Sequence, residues 1–215
     1  MLVGSKRPTV PRGKLITIEG LDGAGKTTLA KSLLGELNAR GIDARLLREP
    51  GGVEAAERIR ELVKNPTVRI GERAEALLYA AARAQLVDEA LEPLLESGTW
   101  VLLDRFLDSS LAYQGGGRGL GIEAVRDINE FGTGGLTPDR TLLLRVEGDV
   151  SRTRSRARAE ALDRLEREED HFFTRVANAY EQLAAAEPQR FRAIDAMQPP
   201  DRVLADALRA LADLV

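Results

Sequence analysis

The sequence lacks cysteine and contains a single histidine. Without cysteine no disulfide can form, so nothing in the chain points to an oxidising compartment. One histidine without any cysteine also cannot supply the nitrogen and sulfur ligands of a typical zinc site. Disulfide scaffolds and zinc proteins of that kind are therefore excluded.

Long apolar runs and an excess of charge of one sign are missing as well. No apolar run approaches the length of a membrane-spanning helix, and the formal net charge is −3. This balance gives no electrostatic signature of binding to nucleic acid or a membrane surface. We therefore expect a cytoplasmic protein with no nucleic acid and no membrane as partner. The basic N-terminus has no apolar core of a signal peptide, and residues 1–12 are predicted to form a loose extension.

Short apolar runs alternate with longer amphipathic stretches over the rest of the chain. The runs predicted as strands are Leu15–Ile18, Ala44–Leu47, Trp100–Leu103, Thr141–Val146 and Phe191–Ile194. The stretches predicted as helices are Lys26–Arg40, Val53–Val63, Glu72–Glu96 (kinked or restarted at Pro93), Ile122–Phe131, Val150–Ala161, Asp170–Glu187 and Pro200–Leu214. Strands that alternate with helices are typical of a parallel sheet covered on both faces. No linker rich in proline and glycine divides the chain, so we expect one α/β domain over residues 13–215.

The segment GLDGAGKTT, residues 20–28, joins the first predicted strand to the first predicted helix and matches the P-loop pattern Gly-x-x-x-x-Gly-Lys-Thr. Its glycines let successive backbone N–H groups turn inward toward a phosphate, and the start of the helix adds partial positive charge. Lys26 is expected to reach the β- and γ-phosphates of ATP, and the Thr27 hydroxyl to bind Mg²⁺. The alternative, a glycine-rich turn without a ligand, is disfavoured by the flanking strand and helix. We expect the ATP site to comprise Gly20, Leu21, Asp22, Gly23, Ala24, Gly25, Lys26, Thr27 and Thr28.

The P-loop does not name the acceptor of the phosphoryl group, because it occurs in GTPases, motor ATPases and small-molecule kinases alike. Asp104 and Arg105 follow the third predicted strand, and Arg48 ends the second. In a parallel sheet these positions lie at the carboxyl edge, where ligands bind. Asp104 is suited to hold Mg²⁺ through water, and Arg105 to bind two phosphate oxygens. An ion pair at the end of the strand is the alternative.

Tyr79 and Arg83 lie four residues apart in a predicted helix and therefore share one face. An aromatic ring and a guanidinium on one face are suited to stack a base and bind its phosphate. Amphipathic packing also explains the pair, and these residues alone leave both interpretations open.

In their order and spacing, five segments resemble those of bacterial thymidylate kinases: EGLDGAGKTT, REPGG, YAAARAQLV, DRFLDSSLAYQGGGRG, and LDRLE with the FFTRV that follows it. The resemblance extends from Lys14 to Val215. It implies a three-layer P-loop kinase fold, in which helices flank a five-stranded parallel sheet. It also implies transfer of the γ-phosphoryl group of ATP to dTMP with Mg²⁺, by a homodimer.

The resemblance further implies roles for single residues. Tyr79 matches the ring that stacks on thymine, and Arg83 and Gln114 match residues that bond the base. Tyr113 matches an aromatic residue that crowds a ribose 2′-hydroxyl, and Asp22 an acid near the acceptor sugar and phosphate. The acceptor site implied in this way, including the two arginines matched to its phosphate, is Arg48, Pro50, Tyr79, Arg83, Arg105, Tyr113 and Gln114.

An arginine-rich segment at about residues 150–166 matches the lid of this family. Some members carry an arginine in the P-loop at the position of Gly23, and others supply arginines from the lid instead. Arg158 is the best match to the lid arginine that reaches ATP, and Arg154 is the second. A solvated surface helix is the alternative. The catalytic residues implied overall are Lys26, Asp22, Arg105, Arg158 and Arg154, and the metal ligands are Thr27 and Asp104.

Arg145 departs from the family, which usually has aspartate at this position. Residues 195–199 match the turn that borders the adenine of ATP.

Two other functions stay open at this point: a kinase for another small acceptor, such as dCMP, UMP or shikimate, and a regulatory ATPase that needs no acceptor. The sequence has no Asn-Lys-x-Asp guanine motif, which disfavours a GTP-dependent switch.

Overall fold

The computed structural model describes residues 11–157 and 163–215, and within them five strands form one sheet. The strands are β1 (Leu15–Gly20), β2 (Ala44–Arg48), β3 (Trp100–Asp104), β4 (Arg140–Arg145) and β5 (Phe191–Asp195). They are hydrogen bonded in the order β2-β3-β1-β4-β5, and every neighbouring pair is parallel. All five predicted strands are confirmed, with small differences at their ends.

Helices connect the strands and cover the sheet. They are α1 (Lys26–Ala39), α2 (Glu54–Lys64), α3 (Glu72–Leu86), α4 (Glu92–Glu96), α5 (Leu107–Ser110), α6 (Ile122–Thr133), α7 (Gly148–Arg156), α8 (Asp170–Ala186) and α9 (Pro200–Ala210). None of these described helices combines the length and the apolar character needed to cross a bilayer.

The sheet lies between two hydrophobic cores, because successive side chains of a strand point to opposite faces. Leu15 of β1 belongs to a core that includes Val176 of α8. The next residue, Ile16, belongs to the other core, with Leu33 of α1 and Ala207 of α9. The sheet is therefore the middle of three layers, which confirms the expected α/β class and the five-stranded parallel sheet flanked by helices.

The predicted helix Glu72–Glu96 is present as one continuous helical run that contains a π-helical turn. α3 ends at Leu86, and a π-helical turn, Val87–Leu91, leads into α4. Pro93 is the second residue of α4, and a proline inside a helical run cannot donate the usual backbone hydrogen bond to the preceding turn. The irregularity expected at Pro93 is therefore a π-helical turn that precedes the proline.

The sequence pattern does not predict the helical segment that α5 forms with the π-helical turn Leu111–Gly117. Glycine disfavours a helix locally, and the segment ends in three glycines. In the fold these glycines allow α8 to approach. A Cβ at Gly116 would lie 2.5 Å from Cβ of Ala179, and one at Gly117 would lie 2.6 Å from the ring of Phe172. Tertiary packing here outweighs local propensity.

Candidate active site

The loop that joins β1 to α1 curls tightly at the carboxyl end of the central strand. Gly23 and Gly25 have φ of 81° and 93°, left-handed values that favour glycine. Lys26 opens α1 and folds back over the loop. Its Nζ donates to the carbonyl oxygen of Gly20 at 3.1 Å and to that of Leu21 at 2.8 Å. These two hydrogen bonds fix the ammonium group over the loop, where the P-loop pattern predicts phosphate binding.

Two residues of the predicted ATP site turn their side chains away from the loop. Leu21 and Ala24 are buried in the two hydrophobic cores. Only their backbone atoms are available to a phosphate.

The Lys26 ammonium group is buried, and burial disfavours its charged form. Burial lowers the pKa of Lys26 to about 8, and the Arg105 guanidinium contributes to the shift. The carboxylates of Asp22 and Asp104 oppose it. A bound phosphate would add negative charge beside the ammonium group and favour its protonated form.

Thr27 and Asp104, the predicted metal ligands, meet at the edge between β1 and β3. Asp104 is in register with Ile18 of β1, so the end of β3 lies beside the loop. Thr27 Oγ1 donates to Asp104 Oδ2 at 2.8 Å. Hydroxyl and carboxylate oxygens are hard ligands, and Mg²⁺ sites in kinases combine one or two of them with water and substrate phosphates. The pair therefore fits Mg²⁺.

Arg105 is held from several sides next to the P-loop, and its own φ is 70°, in the left-handed region. Its guanidinium donates to Asp22 Oδ1 at 2.8 Å, to the Gly20 carbonyl at 3.0 Å and to the Tyr113 hydroxyl at 3.2 Å. Burial by itself would raise the pKa of Asp22. The positive charges of Arg105 and Lys26 outweigh burial and hold that pKa well below its usual range. Asp22 therefore stays ionised at neutral pH.

Tyr113 connects to the same pair. Its hydroxyl donates to Asp22 Oδ2 at 3.0 Å, and the residue is buried. The structure thus brings Asp22 together with Arg105 and Tyr113, which lie 83 and 91 residues further along the chain.

Behind Arg105 lies a buried acid that the sequence analysis does not identify. Glu19, the penultimate residue of β1, accepts hydrogen bonds from Ser109 Oγ at 2.6 Å and from Tyr180 Oη at 2.8 Å. Both hydroxyls also accept hydrogen bonds from Arg105 Nη1, at 3.0 and 3.4 Å. Burial raises the pKa of Glu19. An acidic residue inside the fully buried strand LITIEG is the signal that could have identified it.

An open cleft of about 1000 Å³ connects the P-loop to the predicted acceptor site. Its walls come from the ends of β2 and β3, from α3, and from the helical segment after β3. The cleft brings together most of the predicted site residues, namely Asp22, Gly23, Gly25, Lys26, Thr27, Thr28, Arg48, Pro50, Tyr79, Arg83, Asp104, Arg105, Tyr113, Gln114 and Arg154.

Arg83, which is predicted to bind the base, is buried and already hydrogen bonded to several protein groups. It is 2% exposed, and its Nε donates to Glu49 Oε2 at 2.8 Å. Its terminal nitrogens donate to Ser110 Oγ and to the carbonyl of Phe106, each at 3.0 Å. Burial raises the pKa of Glu49 to about 7, although Arg83 opposes the shift. Glu49 is a second buried acid of the cleft that the sequence analysis does not identify.

Arg48 lies at a more open part of the cleft. Its guanidinium pairs with Glu57 of α2 at 3.0 Å, and Glu57 also accepts from the backbone N–H of Gly52 at 2.7 Å. The carbonyl of Pro50 accepts from Arg60 of α2 at 2.8 Å. Residues of α2 thus fix the loop that carries both predicted acceptor-site residues.

Helix α7 packs directly on the P-loop. Ser151 Oγ donates to the carbonyl oxygen of Asp22, and a Cβ at Gly23 would lie 2.3 Å from the Ser151 carbonyl oxygen. Arg154 Nη1 donates to the carbonyl oxygen of Ala196 at 3.2 Å, within the turn matched to the adenine site. The structure therefore brings Arg154 to the nucleotide end of the cleft. α7 confirms the predicted helix Val150–Ala161 over residues 150–156. Its predicted end, including Arg158, falls in 158–162, outside the described residues.

Arg145, the residue that departs from the family pattern, points to α8. Its guanidinium pairs with the carboxylate of Glu181 through Nε at 2.8 Å and through Nη2 at 2.5 Å. Both side chains are about half exposed. The change therefore places a surface ion pair at the end of β4, and Arg145 is not among the residues that line the cleft.

Comparison with known proteins finds one family model and several curated relatives that match this chain. The family model described as Thymidylate kinase matches residues 18–207. The curated thymidylate kinase of Rhizorhabdus wittichii is 47% identical over 205 residues, which cover 94% of this chain and 99% of that protein. The thymidylate kinase of Halorhodospira halophila is 46% identical over 206 residues, covering 95% of this chain and 96% of that protein. The thymidylate kinase of Deinococcus radiodurans is 46% identical over 202 residues, covering 94% and 98%.

Proposed function

Because the chain belongs to the thymidylate kinase family, we propose that it transfers the γ-phosphoryl group of ATP to the 5′-phosphate of dTMP, giving dTDP and ADP. The observation that supports this most strongly is the cleft itself. It is lined both by the P-loop lysine, Lys26, with the Thr27–Asp104 pair, and by Tyr79 with Gln114. A nucleoside triphosphate and a pyrimidine nucleotide would therefore meet near Arg105.

Thr27 and Asp104 are the residues that would hold Mg²⁺, through Oγ1 and the carboxylate oxygens. Bound there, the ion would supply positive charge to the β- and γ-phosphates. The remaining catalysis depends on positioning. The acceptor phosphate is already an anion at neutral pH, so no strong general base is needed. Lys26, Arg105 and the lid arginines would hold two mutually repelling anions in line and neutralise the charge between them.

The proposal includes a cytoplasmic homodimer, as the resemblance implies. Two exposed apolar side chains on neighbouring helices support the dimer: Phe131 of α6 is 93% exposed, and Leu77 of α3 is 55% exposed. These two helices are in close contact, since a Cβ at Gly132 would lie 3.2 Å from the carbonyl oxygen of Ala80. Sedimentation velocity tests the dimer. We expect the purified protein to sediment as a dimer, and a monomer would contradict this part of the proposal.

Separation of the reaction products tests the proposed function. We expect the purified protein, given ATP, Mg²⁺ and dTMP, to form dTDP and ADP in equal amounts, as measured by anion-exchange chromatography. ADP that accumulates without dTDP would instead support a regulatory ATPase.

Tyr79→Ala is expected to raise KM for dTMP while leaving KM for ATP nearly unchanged. Tyr79 lines the cleft on the face of α3 that also carries Arg83. Loss of a base–aromatic stack costs roughly 1–3 kcal/mol, which corresponds to about 5- to 150-fold in KM. Steady-state kinetics with each substrate varied in turn measures both constants. Tyr79→Phe is the matched control and should resemble the wild type; a loss as large as that of Tyr79→Ala would show that the hydroxyl matters and that stacking is not the whole account.

ATP binding is expected to take up protons from solution at pH 8.5. Lys26, with its pKa near 8, is mostly neutral at that pH, and phosphate groups beside it favour the charged form. The pKa of Lys26 therefore rises on binding, and we expect an uptake of roughly half a proton or more. Calorimetry in two buffers of different ionisation enthalpy measures it, with Lys31→Met as a control that should match the wild type. Binding without net uptake would contradict the assigned position of Lys26.

A further inference from the structure

Glu75, in the first turn of α3, is a fully buried carboxylate with no role in the proposal above. Its Oε1 accepts from Gln114 Nε2 at 2.8 Å and from Arg118 Nε at 3.2 Å. Its Oε2 accepts from Arg118 Nη2 at 3.1 Å and lies 2.6 Å from Arg164 Nη2. Two guanidinium groups thus face one buried carboxylate, and the carboxylate also holds the amide of Gln114.

The partners of Glu75 are themselves fixed. Arg164 Nε donates to the carbonyl oxygen of Val63, near the end of α2, at 3.0 Å. Arg118 Nη1 donates to Glu168 Oε1 at 2.6 Å. Three separate parts of the chain therefore determine where the carboxylate of Glu75 lies, and it offers Gln114 an acceptor in one defined position.

The charge on Glu75 decides which end of the Gln114 amide faces it. An ionised carboxylate only accepts hydrogen bonds, whereas a glutamine amide has a donor end, Nε2, and an acceptor end, Oε1. With Nε2 bonded to Glu75, the planar amide directs Oε1 away from that carboxylate. Gln114 also lines the cleft that Tyr79 borders. The carbonyl oxygen is therefore the end of the amide left for an acceptor base.

A carbonyl oxygen in this position discriminates between pyrimidines. The thymine ring carries an N–H donor at position 3, whereas cytosine has an unprotonated nitrogen there, which is an acceptor. A fixed carbonyl oxygen bonds the first and repels the second. An amide free to turn over would present its amino group to cytosine as readily as its oxygen to thymine.

We propose that Glu75 is a specificity-determining positioning residue, which fixes the amide of Gln114 so that its carbonyl oxygen faces the acceptor base and selects thymine over cytosine. This inference rests on the proposed function, because it requires a pyrimidine nucleotide as the acceptor. Glu75 acts through Gln114 and does not itself contact the substrate.

The test compares kcat/KM for dTMP with kcat/KM for dCMP in the wild type and in Glu75→Gln. A neutral amide at position 75 can donate or accept, so it no longer dictates the orientation of Gln114. We expect the dTMP to dCMP ratio to fall by at least about tenfold, in the range that a misdirected buried hydrogen-bonding group produces. Because both acceptors are assayed on one preparation, any unfolded fraction cancels from the ratio.

Three further variants make the test specific. Glu72→Gln carries the same chemical change on an exposed residue of the same helix and should leave the ratio unchanged. Glu75→Asp keeps the charge that faces both arginines, but its shorter side chain withdraws that charge from Gln114. It should therefore reduce the dTMP to dCMP ratio by a smaller factor. This variant keeps the test available even if Glu75→Gln fails to fold. In a Gln114→Ala background, Glu75→Gln should change the ratio no further, since the amide through which it acts is gone.

A purely structural role for Glu75 would give a different pattern. The melting temperature and both kcat/KM values would fall while the ratio stayed constant, and this result would overturn the proposal. An effect on the ratio that persists undiminished in the Gln114→Ala background would also overturn it. A wild type that does not phosphorylate dTMP would overturn the proposed function and this inference with it, whereas a dTMP-active wild type with an unchanged ratio in the variants overturns this inference alone.

Discussion

Lys26→Met is expected to lower kcat by about a thousandfold, the loss seen when a fixed group that stabilises transition-state charge is removed. Lys26 Nζ is held over the P-loop by two backbone carbonyls, and it lines the cleft at its nucleotide end. Methionine keeps most of the buried stem and removes only the charge. The melting temperature should therefore change much less than the rate. Single-turnover kinetics at saturating ATP separates the loss in the chemical step from weaker binding.

Lys31→Met provides the matched control, since Lys31 is an exposed lysine on the same helix. Its kcat should equal that of the wild type. Near-normal turnover of a folded Lys26→Met protein would refute the assignment of this loop as the site of ATP.

Arg158→Ala is expected to lower kcat at least about a hundredfold, with little change in the melting temperature or in the affinity for dTMP. Gly23 offers no side chain to the γ-phosphate, and the Ser151 carbonyl occupies the place of a Cβ there. Positive charge beyond that of Lys26 and Arg105 must then come from other segments, and the lid is rich in arginine. An arginine that contacts this group in the transition state is worth about 10³–10⁵ in rate, whereas an exposed surface arginine contributes about 0–1 kcal/mol. The lower bound of a hundredfold allows for help from neighbouring arginines.

Arg152→Ala is the control for the lid, because Arg152 pairs with Asp149 and Asp170 and should affect kcat little. If Arg154→Ala or Arg156→Ala loses activity while Arg158→Ala retains it, the lid supplies the charge through a different residue. The position of Arg154 beside the Ala196 carbonyl makes it the first of these to measure. Normal turnover of all three single variants and of the triple variant would mean that this segment is only a solvated surface.

The geometry of the P-loop and the position of Asp104 beside it could be predicted from the sequence because their determinants are local. The P-loop is one contiguous pattern, and its strand and helix are recognisable on either side of it. Asp104 follows a strand directly, and a parallel sheet brings the ends of neighbouring strands to one edge. These positions required no knowledge of contacts between distant segments.

The buried acids could not be predicted in this way. Glu19 is bonded to a hydroxyl 161 residues away along the chain, and Glu75 to an amide 39 residues away. A local pattern says only that an acidic residue interrupts an apolar or helical stretch, and it does not say which distant side chain balances the charge. For the same reason the sequence pattern does not explain the glycines at the end of the helical segment after α5. They are required because α8 packs closely against them, not because of their neighbours in sequence.

The central claim is that this cleft selects dTMP as the acceptor of the phosphoryl group. The most direct measurement is the rate of ADP release from ATP and Mg²⁺, followed with a coupled assay across dTMP, dUMP, dCMP, UMP, dGMP and shikimate. We predict that dTMP gives the highest kcat/KM of the panel and that ADP release without an acceptor is slow. A higher kcat/KM for another acceptor, or a rate of ADP release that no acceptor increases, would contradict the account.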